Sequence, residues 1–192
     1  MESTFDDASE TIEEEIAVED VVEEITIGVT DDGIVMSDVV ASEIDVDGDG
    51  IADGVAVTST EVREIDVDGD GVPDIVETTT IVETVVDVDG DGVPDVGTRV
   101  VTEQVVMDLD GDGTPDSIEI TETTTVAYDT TGDGLPDVAE TVVVEAAGID
   151  LDGDGSLDHV EAVVAEAVAV DLDGDGIPDA AAIAVEEFET EE

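Results

Sequence analysis

The nine residues Asp66-Val67-Asp68-Gly69-Asp70-Gly71-Val72-Pro73-Asp74 carry carboxylates at positions 1, 3, 5 and 9 of one short segment. If the backbone curls tightly these groups converge on a point, and the carbonyl of Val72 at position 7 adds a further oxygen. An all-oxygen cage of this kind suits a hard divalent cation. Calcium takes six to eight oxygens at about 2.3–2.6 Å in loose geometry, whereas magnesium demands a near-ideal octahedron at about 2.0–2.1 Å and keeps its waters, so the crowding favours calcium. Gly71 at position 6 can take a positive φ without a Cβ penalty, and Gly69 lets the backbone approach the ion. The apolar residue at position 7 can pack inward and anchor the loop.

The pattern recurs seven times at a fixed step of 21 residues. Position 1 is Asp45, Asp66, Asp87, Asp108, Asp129, Asp150 and Asp171, and position 3 is Asp47, Asp68, Asp89, Asp110, Thr131, Asp152 and Asp173. Position 5 is Asp49, Asp70, Asp91, Asp112, Asp133, Asp154 and Asp175. Position 7, where the main-chain oxygen is the candidate ligand, is Ile51, Val72, Val93, Thr114, Leu135, Ser156 and Ile177. Position 9 is Asp in every copy: Asp53, Asp74, Asp95, Asp116, Asp137, Asp158 and Asp179. A metal-free acidic turn has no reason to recur at an unvarying interval, so the repeat argues for ion capture.

These loops resemble the DxDxDG calcium repeats of thrombospondin type 3 proteins and the DxDxDGxxD loops of FG-GAP-type repeat proteins, over residues 45–179. Their first six positions also match an EF-hand loop. The resemblance implies calcium at each copy, ligated from positions 1, 3, 5, 7 and 9. The 21-residue period is too short for an EF-hand with its own helix pair or for a propeller blade, and the cysteines common in thrombospondin repeats are missing. An EF-hand closes its cage with a bidentate Glu at position 12. Here that position is Glu77, Glu119, Glu140 and Glu161 in four copies, but Ala56, Thr98 and Ala182 in the others. The constant Asp at position 9 therefore points to direct ligation there, with each position-12 Glu either a ligand or a helix cap.

Twelve-residue spacers such as IVETTTIVETVV (75–86) must position the loops. Their Val, Ile and Thr content predicts strands, and most lack a mid-segment turn residue, so chain reversal falls to the loops. The expected fold is all-β: a repetitive antiparallel meander, curled or closed, with calcium loops alternating between the two ends of the strands. A parallel β-solenoid is the first alternative. It would stack one loop every ~4.8 Å, whereas the meander separates loops at one end by about 9.6 Å, which relieves repulsion between carboxylates. A helical EF-hand-like or dockerin-like array is the second, because Asp74-x-x-Glu77 can form a capping box and HVEAVVAEAVAV (159–170) is rich in Ala and Glu.

The remaining segments are shorter. Residues 1–24 read as an acidic leader, partly disordered, with a short amphipathic helix as the alternative. Residues 25–44 read as a degenerate, metal-free repeat whose hairpin turns at Asp31-Asp32-Gly33. The seven calcium-loop repeats occupy 45–185, and 186–192 form an acidic tail with Phe188 as a modest anchor.

The chain has 58 acidic side chains against two basic ones, Arg63 and Arg99, and a formal charge of -56. Such a chain repels itself and disfavours nucleic acid as a partner. Over half of the acids occupy ligand positions, yet seven divalent ions would offset only a quarter of the charge. The two arginines are expected to relieve local charge, and His159 to be a solitary surface residue, with membership of a metal site as the alternative. No apolar run is long enough for membrane insertion, and the start carries no Sec-type signal. With no Cys and no Lys, and no Ser/His/Asp arrangement, no catalytic constellation is available, so a non-enzymatic role is expected. The implied cofactor is Ca2+, in a structural or adhesive repeat or in a high-capacity calcium buffer or sensor. Extracellular or cell-surface use is weakly favoured by that chemistry, and a protein partner or self-association is left open.

The fifth loop breaks the pattern, since Thr131 stands where the other six have Asp. Losing one charged ligand lowers affinity, so this loop is expected to be the weakest site. Calorimetric titration should show a late, weak step that Thr131→Asp strengthens several-fold; an unchanged isotherm would remove the ranking.

Overall fold

The computed structural model describes residues 12–18, 21–30 and 33–191. They form ten strands: β1 (Ile12–Val18), β2 (Val21–Thr30), β3 (Gly33–Ile44), β4 (Gly54–Ile65), β5 (Ile75–Val86), β6 (Val96–Met107), β7 (Ser117–Tyr128), β8 (Val138–Ile149), β9 (His159–Val170) and β10 (Ala180–Glu191). All belong to one sheet in sequence order, every pair antiparallel. From β3 onward each strand is 12 residues long and runs unbroken between loops. The expected meander is therefore the fold, and neither a parallel solenoid nor a helical array is present among the described residues.

The sheet is open rather than closed. β10 pairs with β9 and β1 with β2, and these two strands are the edges. Closure would turn one face into a packed interior. Both faces carry carboxylates, so either choice would bury unpaired charge at a cost of several kcal/mol per ion.

Strand pairing decides the ambiguous spacer HVEAVVAEAVAV. As β9 it pairs along its full length with β8 on one side and β10 on the other. Two complete ladders outweigh the modest helix preference of Ala and Glu, which is a few tenths of a kcal/mol per residue. The span expected to be a leader carries β1 and the start of β2, while residues 1–11 and 19–20 lie outside the described residues. β2 and β3 pair up to Thr30↔Gly33, as the degenerate hairpin requires, with its turn residues 31–32 also outside. β10 continues through the expected tail to Glu191.

Register sorts the side chains onto two faces, because residues directly opposite one another share a face and neighbours along a strand do not. One face carries Glu61, Glu77, Glu103, Glu119, Glu145, Glu161, Glu187 and Glu189, and is the acidic face. The two arginines also lie there, Arg63 Nη1 pairing with Glu77 Oε2 at 3.3 Å and Arg99 Nε with Glu83 Oε1 at 3.0 Å. Both pairs are half exposed, so each contributes at most about 1 kcal/mol. The opposite face is dominated by Val, Ile, Ala and Thr. On β5 it is Val76, Thr78, Thr80, Val82, Thr84 and Val86, and on β6 Val96, Thr98, Val100, Thr102, Gln104 and Val106, with no charge on either strand.

Among the described residues no hydrophobic side chain is buried. The sheet is a single layer, and contacts between strands are almost wholly between neighbours in sequence. No helix among the described residues is long and apolar enough to cross a membrane. With no hydrophobic side chain buried among the described residues to oppose the repulsion of its acids, the chain is expected to depend on cations. In low salt with chelator it should lose strand signal in circular dichroism and expand in X-ray scattering, and divalent cation should reverse both. An unchanged radius and spectrum would contradict that dependence.

Candidate metal centres

Each loop is built by the same hydrogen-bond frame. The position-1 aspartate sits at its middle: Oδ1 accepts from the N–H of the position-4 glycine and Oδ2 from that of the position-6 glycine, at 2.7–2.9 Å in all seven copies. In the loop at 66–74 the donors are Gly69 and Gly71. Two successive N–H groups can aim at one carboxylate only if the backbone turns left-handed, and Gly69 and Gly71 have φ of 81° and 91°. The same signs recur at both glycines of every loop.

The other carboxylates complete the frame. Asp68 Oδ1 accepts from Asp70 N–H at 2.9 Å, and Asp70 Oδ1 from Val72 N–H at 2.7 Å, two short side-chain turns that advance the chain around the loop. At position 9, Asp74 Oδ2 reaches back to accept from Val67 N–H at 2.5 Å. Its equivalents do the same in every loop, at up to 2.9 Å. The position-9 main chain belongs to the sheet. Asp74 N–H donates to Ile65 O, closing the hairpin, and Asp74 O accepts from Asp108 N–H, tying its loop to the next loop at the same sheet end.

The frame gathers ligand atoms. Oxygens of Asp45, Asp47 and Asp53 lie within 4.8 Å of one another, as do those of Asp87, Asp89 and Asp95 and of Asp108, Asp110 and Asp116. These are positions 1, 3 and 9. In the loop at 66–74 the gathered trio is Asp66, Asp68 and Asp70, positions 1, 3 and 5. Two ligands on opposite sides of a calcium ion at about 2.4 Å are about 4.8 Å apart. The trios therefore have the size of a first coordination sphere, and each carboxylate oxygen engaged by an N–H keeps a second lone pair. The donors are all hard oxygen, the chemistry of calcium and magnesium rather than of zinc or copper.

Position 5 also faces outward. Asp91 Oδ1 accepts from Val93 N–H, while Oδ2 would lie 3.5 Å from a Cβ placed on Gly132, in the next loop at that end. Asp133 Oδ2 stands in the same relation to Gly174, at 3.2 Å. Neighbouring loops thus share a carboxylate surface. In the irregular fifth loop Thr131 Oγ1 donates to Asp129 Oδ1 at 3.3 Å, so the hydroxyl is drawn into the frame in place of a carboxylate.

The frame lowers the pKa of four position-1 aspartates, Asp45, Asp129, Asp150 and Asp171. Asp129, Asp150 and Asp171 expose only 8%, 7% and 6% of their surface. The Gly50 and Gly48 N–H groups hold Asp45 below the ordinary aspartate range, and Gly155 and Gly153 do so for Asp150. At Asp129 and Asp171 burial is the largest influence and pushes upward, but the summed N–H donors outweigh it and the net displacement is downward. The hydroxyl and N–H of Thr114 lower Asp112. A carboxyl lowered on folding stabilises the folded state above its unfolded value, and that contribution is lost as the pH falls through the folded value.

Position 12 has a different role from the one its spacing suggests. Glu77 lies on the acidic face, in the second turn of the strand pleat beyond the loop, and its carboxylate pairs with Arg63. None of the position-12 glutamates begins a helix. On β9 and β10, His159, Glu161 and Glu189 have ligand atoms within 4.8 Å of one another, with His159 Nε2 to Glu161 Oε1 at 3.0 Å, a grouping in which the sequence reading had no place for Glu189. The β9–β10 register brings Glu189 opposite Glu161 across 28 residues of sequence, which local spacing does not reveal.

No protein family, curated protein or solved structure matches this chain.

Two glycines isolate the role of backbone conformation. A Cβ at Gly71 or at Gly97 would meet nothing within 4 Å, but only Gly71 is left-handed. Gly71→Ala should therefore destabilise the protein by about 1–2 kcal/mol, whereas Gly97→Ala, inside β6, should be neutral or stabilise it by up to about 1 kcal/mol. Denaturant titration of the two variants should show opposite displacements, and equal effects would mean that the loop conformation is not what the glycines secure.

Proposed function

We propose that the chain is a calcium-binding repeat protein with a structural or adhesive, non-catalytic role, stiffened by up to seven calcium ions. The observation that carries this reading is the loop frame. In every copy, two glycine N–H groups fix the position-1 aspartate and the position-9 aspartate folds back over the loop. The all-carboxylate donor set supports calcium, as does the resemblance of the loops to thrombospondin type 3 and FG-GAP-type repeats. The structural role is supported by the continuity of loop and ladder, since the position-9 main chain both closes its hairpin and bonds to the next loop. Ions held there neutralise charge where the strands reverse, and so act on the sheet itself.

Calorimetry tests both the metal and the loop type. Wild-type protein should bind close to seven calcium ions, and far less magnesium under the same conditions. Within the loop at 66–74, Asp74→Ala should reduce stoichiometry or affinity, by about tenfold or more, because it removes both a ligand and the acceptor of Val67 N–H. Glu77→Ala should change binding little. The reverse order would indicate an EF-hand cage and sink the hairpin-loop reading. Dissociation constants near 10⁻⁴–10⁻³ M are those of structural extracellular modules, and values several orders of magnitude lower would favour a buffer.

A further inference from the structure

We propose that the apolar face of the sheet is covered by the same face of a second copy of this chain, giving a two-layer sandwich. The argument begins with the repeat. Because the unit is 21 residues long and each strand reverses the last, a given repeat position falls on opposite faces in successive strands. Identical units would make the two faces identical. They are not. The third strand position is Glu77, Glu119 and Glu161 where it falls on the acidic face, but Ala56, Thr98 and Ala182 where it falls on the other, with Val35 and Glu140 the exceptions. The eighth position is Glu61, Glu103, Glu145 and Glu187 on the acidic face, but Val40, Val82 and Thr124 on the other, with Glu166 the exception. Carboxylates are thus fewer on one side of a sheet whose repeat would otherwise treat both sides alike, with Glu64, Glu122, Glu140, Glu166 and Glu186 among those remaining there.

A face depleted of charge in a single-layer sheet, with Glu64 and Glu122 its carboxylates across β4 to β7, needs a covering layer, because a sheet is stable only when one side packs on another element. Among the described residues nothing covers it, and no apolar side chain is buried. The size of the patch fits a protein interface. Four 12-residue strands, β4 to β7, at ~4.8 Å lateral and ~3.4 Å axial spacing span roughly 800 Å², about what each partner contributes to a standard stable interface.

Charge and shape select a second copy as the occupant. A basic partner would be drawn to the loops and the acidic face, and β5 and β6 offer it no charge on the apolar side. Another copy offers the same lattice of Val and Thr at the same spacings, so its rows can interdigitate with these about a two-fold axis. Layers of a sandwich lie about 10 Å apart. The acidic faces would then point away from each other, separated by more than the Debye length of about 8 Å at physiological salt.

The test compares neighbours on opposite faces. Val82 pairs with Val100 on the apolar face and Ile81 with Val101 on the acidic face, and all four are half-buried in the single chain. In excess calcium, with strand content checked by circular dichroism, light scattering should give twice the single-chain mass. Val82→Glu/Val100→Glu should halve it and Ile81→Glu/Val101→Glu should not. Because the chain has no cysteine, Val82→Cys and Ile81→Cys give a second readout that does not need a charged variant to fold. Maleimide should label Val82→Cys about tenfold more slowly than Ile81→Cys. A single-chain mass for the folded protein overturns the proposal. So does equal labelling at the two positions, even in a dimer, because that pattern means pairing through the free edges of β1 or β10. The inference does not require the loops to be full, so failure of calcium binding would appear in calorimetry and failure of pairing in the mass and labelling.

Discussion

The bond from two glycine N–H groups to one aspartate carboxylate holds the rest of this structure in place. Without it a nine-residue connection rich in carboxylates would spread apart, since charges of like sign about 5 Å apart repel by about 1 kcal/mol even in bulk water. With it, the position-1 carboxylate becomes the centre of the loop, and the chain leaves the loop in register for the next strand. Asp74 shows the coupling: its side chain caps Val67 N–H, its own N–H closes the hairpin on Ile65, and its carbonyl receives Asp108 N–H. Loop geometry and strand register are therefore one constraint.

That constraint explains how ten strands can hold together in one layer without a core. Every described strand from β3 to β9 is flanked on both sides by a 12-residue partner or its near equal, so main-chain polar groups are satisfied along the ladder. Cross-strand side-chain pairs such as Arg63–Glu77 and Thr125–Thr141 add a few tenths to about 1 kcal/mol each. Neither source replaces the burial that a second layer supplies, and this is why the composition of the apolar face matters.

Most of the fold could be read from the sequence because the repeat is strict. Seven copies of one loop fix where the chain turns, and Val, Ile and Thr in the spacers fix strands between the turns. The readings that needed the structure all depend on what lies across the sheet. Glu77, Glu119 and Glu161 looked like metal ligands or helix caps because sequence counts along the chain, and their distribution over the copies makes sense only once alternate strands are seen to turn alternate faces outward. The β9 spacer looked helical because propensity is local, whereas its strand conformation comes from β8 and β10. Closure, one of the two forms open to the meander, would remove its free edges but would trap Glu122, Glu140 and Glu166 in an interior. In the loops, counting along the sequence could not show that position 5 extends toward the neighbouring loop.

The alternation of faces bears on how such a chain can lengthen or shorten. Tandem repeats gain and lose copies by slippage and unequal exchange, and strand contacts here are almost wholly between neighbours, so an added unit could in principle be accommodated anywhere. A single added unit would nevertheless invert everything downstream of it. Strands that had shown Glu103 and Glu145 on one side would show them on the other, and the charge-depleted patch would be cut in two. Two added units restore the alignment. Copy number in this architecture is therefore expected to change in steps of 42 residues, twice the 21-residue unit, even though the visible period of the sequence is half that.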